Sequence, residues 1–461
     1  MPDPPVPAPL TRPTQTRPPD ALPLELARRT MRLSIYEGGF AMFFINWTSG
    51  SVLTGYALQL GASDTALGLI ASVPLLAQAI SPVAAWLSAL RGQRRATAVL
   101  CALLGRGLWL LTPLLAVAPL PPETRTAALL GVVALSSLFL AANGALWTAW
   151  MGDVVPWKER GRYFGLRTGV LGVVGTLANL LAGVWLDRVH APLNFQWVLG
   201  VAALMGLISG ALLTLHDEPP MTGEPLRMRR TVSLPLGDPN FRRLLGFAVY
   251  WQFAVLIAAP FVLPYFLTHL HMSYVQIAVW GSISAVCAFF LAPTWGRLSD
   301  RVGTKPVLAI STFLAGTLLP LSWMVATPHL LWPIWVSAVA DALVWSAINP
   351  GLFNLSLTSS PAANRAAFIA VFSAATGISG FLGGLISGPL LALYRAVSPP
   401  DAGWTPYHSL FVTSGVVRML AWTLLRRVDE RAAWTTRRVL ALPRQSGREA
   451  LRILKRRASR R

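Results

Sequence analysis

Residues 296–305 read Gly296-Arg297-Leu298-Ser299-Asp300-Arg301-Val302-Gly303-Thr304-Lys305, a polar hairpin set between two long apolar runs. Each residue type has a readable purpose. Gly296 permits close helix packing and Gly303 permits a tight turn. Asp300 can accept hydrogen bonds from a helix N-terminus or an arginine. Arg301 and Lys305 hold the turn on one side of a barrier that charges do not cross.

The rest of the chain enlarges that picture. Of 461 residues, 54% are hydrophobic and 13% charged, with a mean hydropathy of +0.53. A soluble domain carries about a quarter charged residues, so this chain cannot cover a water-facing surface and reads as an all-α integral membrane protein. The net charge of +20 lies in short clusters between apolar runs, which points to membrane sorting and away from nucleic acid. Cys101 and Cys287 stand alone in apolar runs and offer neither a disulfide framework nor a thiolate metal site. No H-E-x-x-H, G-x-S-x-G, phosphate-binding glycine loop or C-x-x-C is present, and His269-x-His271 is too small for a metal site. No cofactor and no enzyme activity are expected.

Twelve apolar segments approach the roughly 20 residues needed to cross a bilayer: 33–58, 65–90, 95–118, 126–151, 163–186, 193–215, 244–269, 273–297, 305–326, 329–356, 366–392 and 406–426. With both tails inside, 34 Lys and Arg face the cytoplasm against Arg125, Arg188 and Arg395 outside, which orients the chain in the cytoplasmic (inner) membrane. Residues 1–32 form a tail whose first 24 positions hold nine prolines, a composition that does not fold. Residues 429–461 form a basic cytoplasmic tail suited to anionic lipid. The proline-rich stretch 216–243 reads as a linker between bundles 33–215 and 244–428. The halves echo each other in order: Gly39-Phe40-Ala41 with Gly246-Phe247-Ala248, Gly92-x-Arg94 with Gly303-x-Lys305, and Pro156-x-x-x-Arg160 with Pro361-x-x-x-Arg365.

The 296–305 stretch resembles the cytoplasmic loop signature of the major facilitator superfamily, G-x-L-x-D-R-x-G-x-K. Asp153-Val-Val-Pro-Trp-Lys-Glu-Arg160-Gly-Arg162-Tyr-Phe-Gly is similar to the D-x-x-P-x-x-x-R-G-x-x-x-G loop after the fourth span of bacterial carriers of that type. The first-half copy of the signature has Ala85, Ala89 and Leu90 where glycine, aspartate and arginine belong, which argues against a gating ion pair through that loop. The resemblance covers about 30–428. It implies two six-helix bundles, a monomer, and a secondary carrier that moves a small organic solute by alternating access, coupled to protons. Direction is left open: span five carries Gly169, Gly172 and Gly175 without the proline typical of drug exporters. Facilitative or sodium-coupled carriage, a polytopic membrane enzyme and a non-transporting sensor are the competing readings.

Ionisable groups inside spans are costly and therefore functional candidates. Asp341, midway along span ten with no basic residue one turn away, is the first proton-coupling candidate, with Ser337 or another helix as its alternative partner. Glu37 is the second, placed near the inner end of span one within reach of Arg32. Arg106 and Arg418 lie mid-span in helices three and twelve, which the resemblance puts at the periphery. Arg106 is retained as a cavity candidate. Asn46, Trp47, Asn143, Trp147, Tyr250, Gln252, Trp345 and Asn349 complete the expected lining, on spans one, four, seven and ten, and Trp150 shares a helical face with Asn143 and Trp147. Gly296, Asp300, Arg301, Gly303, Lys305, Asp153, Arg160, Arg162 and Arg365 form the expected gating loops, with Asp300 and Arg365 as the pair to test.

Overall fold

Helix starts are written into the sequence as caps. Ser63 accepts from Ala66 N at 3.3 Å, Ser273 from Gln276 N at 3.2 Å, and Asp238 from Phe241 N at 2.8 Å, each satisfying an orphan amide of the first turn. Proline occupies an early position at Pro122, Pro239, Pro333 and Pro406, where its missing N–H costs nothing. A computed structural model of the chain describes residues 22–91, 93–156, 159–191, 193–220, 228–361, 365–398, 404–430 and 434.

Eleven helices among the described residues are long and apolar enough to cross a membrane. They are spans two to twelve: Asp64–Ala84, Arg95–Leu115, Pro122–Val154, Arg160–Arg188, Leu193–Leu215, Pro239–His269, Tyr274–Val302, Thr304–Val325, Trp332–Thr358, Ala367–Val397 and Pro406–Leu425. Span one is Leu24–Trp47, which breaks and resumes as Gly50–Gln59. Its charged first half (Arg28, Arg29, Arg32, Glu37) keeps its hydropathy low. The spans form two bundles of six. A short helix, Met228–Gly237, precedes span seven.

The bundles meet at the end remote from the chain termini. There the carboxylate of Asp187, closing span five, accepts from Tyr274 N (2.8 Å) and Val275 N (2.9 Å) at the start of span eight. Arg395 of span eleven pairs with Asp64 of span two at 3.2 Å. Spans two and eleven touch backbone to backbone: a Cβ on Gly68 would come within 2.6 Å of the Gly384 carbonyl, and one on Gly388 within 2.5 Å of Thr65 Cα. Toward the end that bears the termini, spans five and eight part. Successive positions are exposed on both, and a Cβ at Gly165, Gly169, Gly172 or Gly296 would meet nothing within 4 Å.

Candidate functional site

The first bundle gathers its buried charges into one constellation. Glu37, 3% exposed, lies 3.5 Å from Arg106 of span three and 3.7 Å from Arg167 of span five, and it accepts from the Ser209 hydroxyl of span six at 2.7 Å. Arg106 Nη1 donates to Ser209 Oγ (2.7 Å) and to the Gly206 carbonyl (3.3 Å). Arg167 Nε donates to the Ser34 carbonyl at 3.4 Å, and its guanidinium lies 4.3 Å from the Trp147 ring centre. A Cβ at Gly38 would come within 2.8 Å of Arg167 Nη2, so the guanidinium packs directly against span one.

The second bundle is arranged differently. Asp341 accepts from the Ser284 hydroxyl of span eight at 2.7 Å, with Trp345 and Arg418 as further polar neighbours. Arg418, 2% exposed, donates to the carbonyls of Ala315 (3.3 Å) and Val255 (3.2 Å), which have lone pairs to spare beyond their own helices. Trp280 to Ser337 (2.9 Å) and Trp295 to the Leu343 carbonyl (2.9 Å) fasten span eight to span ten on either side of Asp341.

Several expectations are corrected by these contacts. Glu37 turns away from Arg32 and inward, because two guanidiniums outbid the interface. Arg106 lines no cavity: it is committed to Glu37 and span six. Asn143 is buried and donates to the Ala98 carbonyl at 2.9 Å, a clasp between spans four and three. Trp150 is fully buried, its Nε1 bonded to the Asp217 carbonyl at 3.0 Å. Gly296 packs against nothing and faces open space. Asp341 takes its hydrogen bond from Ser284, while Ser337 serves Trp280. Arg167, near the start of span five, belongs to the charge constellation and was not among the expected site residues.

The remaining cavity candidates divide into committed and open groups. Trp47 Nε1 donates to the Ala178 carbonyl (2.7 Å), Tyr250 to the Val417 carbonyl (3.0 Å), and Asn46 both donates to Met42 and accepts from Asn179 (2.9 Å). Trp345 packs its ring against Trp251. Trp147 is half-buried with its Nε1 unpartnered, Gln252 lies against span eleven at Gly380, and Asn349 is exposed.

At the end that bears the termini, each bundle is tied by a carboxylate that the sequence reading passed over. Glu218, just past span six, accepts from the amides of Arg94 (2.6 Å) and Arg95 (3.2 Å) at the start of span three. Glu430, just past span twelve, does the same for Thr304 (2.9 Å) and Lys305 (2.7 Å) at the start of span nine. A carboxylate on a helix N-terminus gains both hydrogen bonds and the helix dipole. The signal was available: Asp217-Glu218 and Asp429-Glu430 recur 212 residues apart. Arg94 also pairs with Asp153 at 2.7 Å and lies 3.9 Å from Glu218, so an ion pair does run through the first-half loop. Arg160 donates to the carbonyls of Val155 and Gly152. Gly303 turns the second loop at φ +102°, and Lys305 Nζ donates to the carbonyls of Arg426 (2.9 Å) and Val428 (2.6 Å). Asp300, Arg301, Arg162 and Arg365 are all exposed at this end.

Two six-helix bundles, joined at one end and open at the other around half-buried polar groups, define the architecture of a multi-pass membrane carrier. The sequence profile of the Major Facilitator Superfamily matches the chain twice, over residues 36–261 and 243–459, and the protein belongs to that family. Solved structures share the fold. The nucleoside transporter NupG matches with a TM-score of 0.65 at 15% identity, over 88% of this chain and 100% of its own. A bacterial homologue of the human lysosomal transporter Spinster, inward-facing and occupied, matches with 0.67 at 17%, over 88% and 98%. The inward-open xylose transporter XylE from E. coli matches with 0.60 at 15%, over 91% and 100%. No curated protein matches the chain at the sequence level.

Proposed function

We propose that this protein is a secondary active transporter that moves a small organic solute across the cytoplasmic membrane by alternating access, driven by protons. The observation that carries this reading is the asymmetric closure. Bundles 33–215 and 244–428 are latched at one end through Asp187 and through Asp64–Arg395, and they are parted at the other. Both latches are hydrogen-bonded or ionic contacts between separate bundles, so they can break without unfolding either one. The basic loops assign the open end, with both termini and the linker, to the cytoplasm.

Asp341 is the proton-coupling residue in this scheme. It has one hydroxyl donor and stands half-exposed on span ten, whereas Glu37 is held by two guanidiniums and has a packing role that a proton would disrupt. Asp300, Arg301 and the loop around Arg160 gate the cytoplasmic end. The test is uptake into proteoliposomes under an imposed pH gradient. Asp341→Asn keeps size and hydrogen bonding but cannot exchange a proton, so it abolishes accumulation and spares counterflow. Retained accumulation in the variant removes Asp341 from the coupling role. Accumulation that ignores the pH gradient in the wild type points to facilitative or sodium-coupled carriage. A cysteine at Thr231, with Cys101 and Cys287 replaced, resists labelling from outside intact cells if the orientation is right.

A further inference from the structure

The first bundle has more hydrogen-bond donors and positive charge than its own acceptors can satisfy. Two guanidiniums face one carboxylate, leaving a net charge of +1 inside the spans, where an uncompensated charge is costly. Arg106 is sealed among Glu37, Ser209 and Gly206. Arg167 is not: it makes one hydrogen bond, at 3.4 Å, and a 3.7 Å ion pair, and its side chain is 17% exposed. A guanidinium carries five N–H donors, so most of those on Arg167 are unanswered. Around it lie further polar groups short of partners. Trp147 Nε1 is buried and unbonded, and the buried hydroxyls of Ser34 (0% exposed) and Tyr163 (5% exposed) have no partner beyond each other. The Tyr163 hydroxyl lies beside Ser34, whose carbonyl takes the Arg167 proton, and Trp147 stacks on the Arg167 guanidinium. Buried polar groups are nearly always satisfied in folded proteins. One unpartnered indole N–H and two hydroxyls that have only each other, beside a surplus positive charge, lack an acceptor with negative charge. In the second bundle Asp341 and Arg418 balance in charge, so no surplus stands beside its unpartnered groups.

The geometry points to an anion subsite at Arg167, with Ser34, Trp147 and Tyr163 completing it, that receives the acidic group of the transported solute. The substrate is thus an organic anion carrying a carboxylate or a phosphate monoester. This inference rests on the carrier reading above and narrows it.

The test uses purified full-length protein in detergent, melted in the presence of organic carboxylates and phosphate monoesters. Each probe is paired with its neutral amide or alcohol, beginning with benzoate against benzamide, and inorganic phosphate and chloride are run as separate arms. Organic anions should raise the melting temperature while their neutral partners do not, as expected for a ligand that binds only the folded state. Arg167→Gln should weaken the effective anion at least tenfold. Trp147→Phe removes an orphan donor and Tyr163→Phe one that has only the Ser34 hydroxyl for company, so they should weaken the anion several-fold while leaving the ligand-free melting temperature unchanged or higher. A merely structural role predicts a lower ligand-free melting temperature in both variants. Equal stabilisation by neutral partners, an organic-anion shift that survives Arg167→Gln, or a response to inorganic ions alone each overturns the inference. So does a panel in which no anion acts. Proteoliposome uptake separates the two proposals. Undiminished uptake of a neutral solute by Arg167→Gln sinks the anion subsite and leaves the carrier standing. Anion-selective melting shifts with no uptake of any solute sink the carrier and leave the subsite.

Discussion

The two bundles solve the same packing problem with the arginine on opposite helices. In the first, Arg106 of span three reaches the Gly206 carbonyl and Ser209 of span six. In the second, Arg418 of span twelve reaches back to the Ala315 carbonyl of span nine. The positions correspond at one constant offset, Arg106 with Ala315, Gly107 with Gly316, Gly206 with Gly415 and Ser209 with Arg418, each pair 209 apart. A Cβ on Gly316 would come within 2.8 Å of the Gly415 carbonyl, so the paired helices nearly touch where the guanidinium crosses. One arginine per pair clasps two helices in a medium that offers no water, whichever helix supplies it. What differs is the countercharge. The first bundle adds Glu37 and Arg167 and keeps a surplus of +1; the second balances Arg418 with Asp341. The surplus lies where the anion subsite is proposed, and the balanced bundle holds the carboxyl proposed to exchange a proton.

The comparison breaks most visibly at the carboxylates. Glu37→Gln strands two buried guanidiniums and should cost about 3–5 kcal/mol, as expected when one partner of a buried pair is removed. Asp341→Asn leaves Arg418 its two carbonyls and should cost about 1 kcal/mol. Thermal or denaturant unfolding of the two variants side by side measures the gap, and equal losses would erase the distinction drawn here. Adding Arg106→Met to Glu37→Gln should recover part of the loss, with a coupling of about 1–3 kcal/mol.

Smaller effects sharpen the comparison at the end that bears the termini. Glu430→Gln and Glu218→Gln weaken equivalent helix caps and should each cost about 1 kcal/mol. A much larger loss in one of them would show that the two ties are not equivalent. Acid should act on the first bundle through His216. His216 is fully buried, donates from Nδ1 to the Leu212 carbonyl, and has its proton affinity pushed below the ordinary histidine value, chiefly by burial. The unfolded chain therefore binds the proton more readily, and stability falls as pH drops through the unfolded value near 6.5. The corresponding position before Asp429-Glu430 is Val428, so His216→Gln should flatten the pH dependence of unfolding below about pH 6.5. Smallest of all, the exposed Arg28–Glu159 pair at 3.2 Å should contribute less than about 1 kcal/mol and fade with salt. Arg28→Ala melted at low and high ionic strength measures it.

Legibility followed the range of the interaction. Span positions, caps such as Ser63 and Ser273, and the Gly303 turn depend on neighbours in sequence, and the chain displays them directly. The repeat was visible in its loops, yet its most deeply buried members were overlooked. Tyr56 and Tyr265, 209 apart and both fully buried, donate respectively to the carbonyls of Thr112 and Trp323. Asn143 and Trp150 were misplaced because helical periodicity tells which residues share a face but not what that face meets. Arg167 was passed over because a helix entrance and a loop look alike in composition.

By itself, the sequence determined a twelve-span membrane protein with duplicated halves, its charge asymmetry and its signature loop, since hydropathy, charge and short-range backbone geometry are properties of contiguous residues. The tertiary structure alone decided which charges share a site. Glu37, Arg106, Arg167 and Ser209 lie on four helices spread over 172 residues, and only the bundle packing brings their side chains within 4 Å. The same packing left Trp147 Nε1 without a partner and gave the Tyr163 and Ser34 hydroxyls only each other. No local pattern encodes either outcome, because both are set by where separate helices cross.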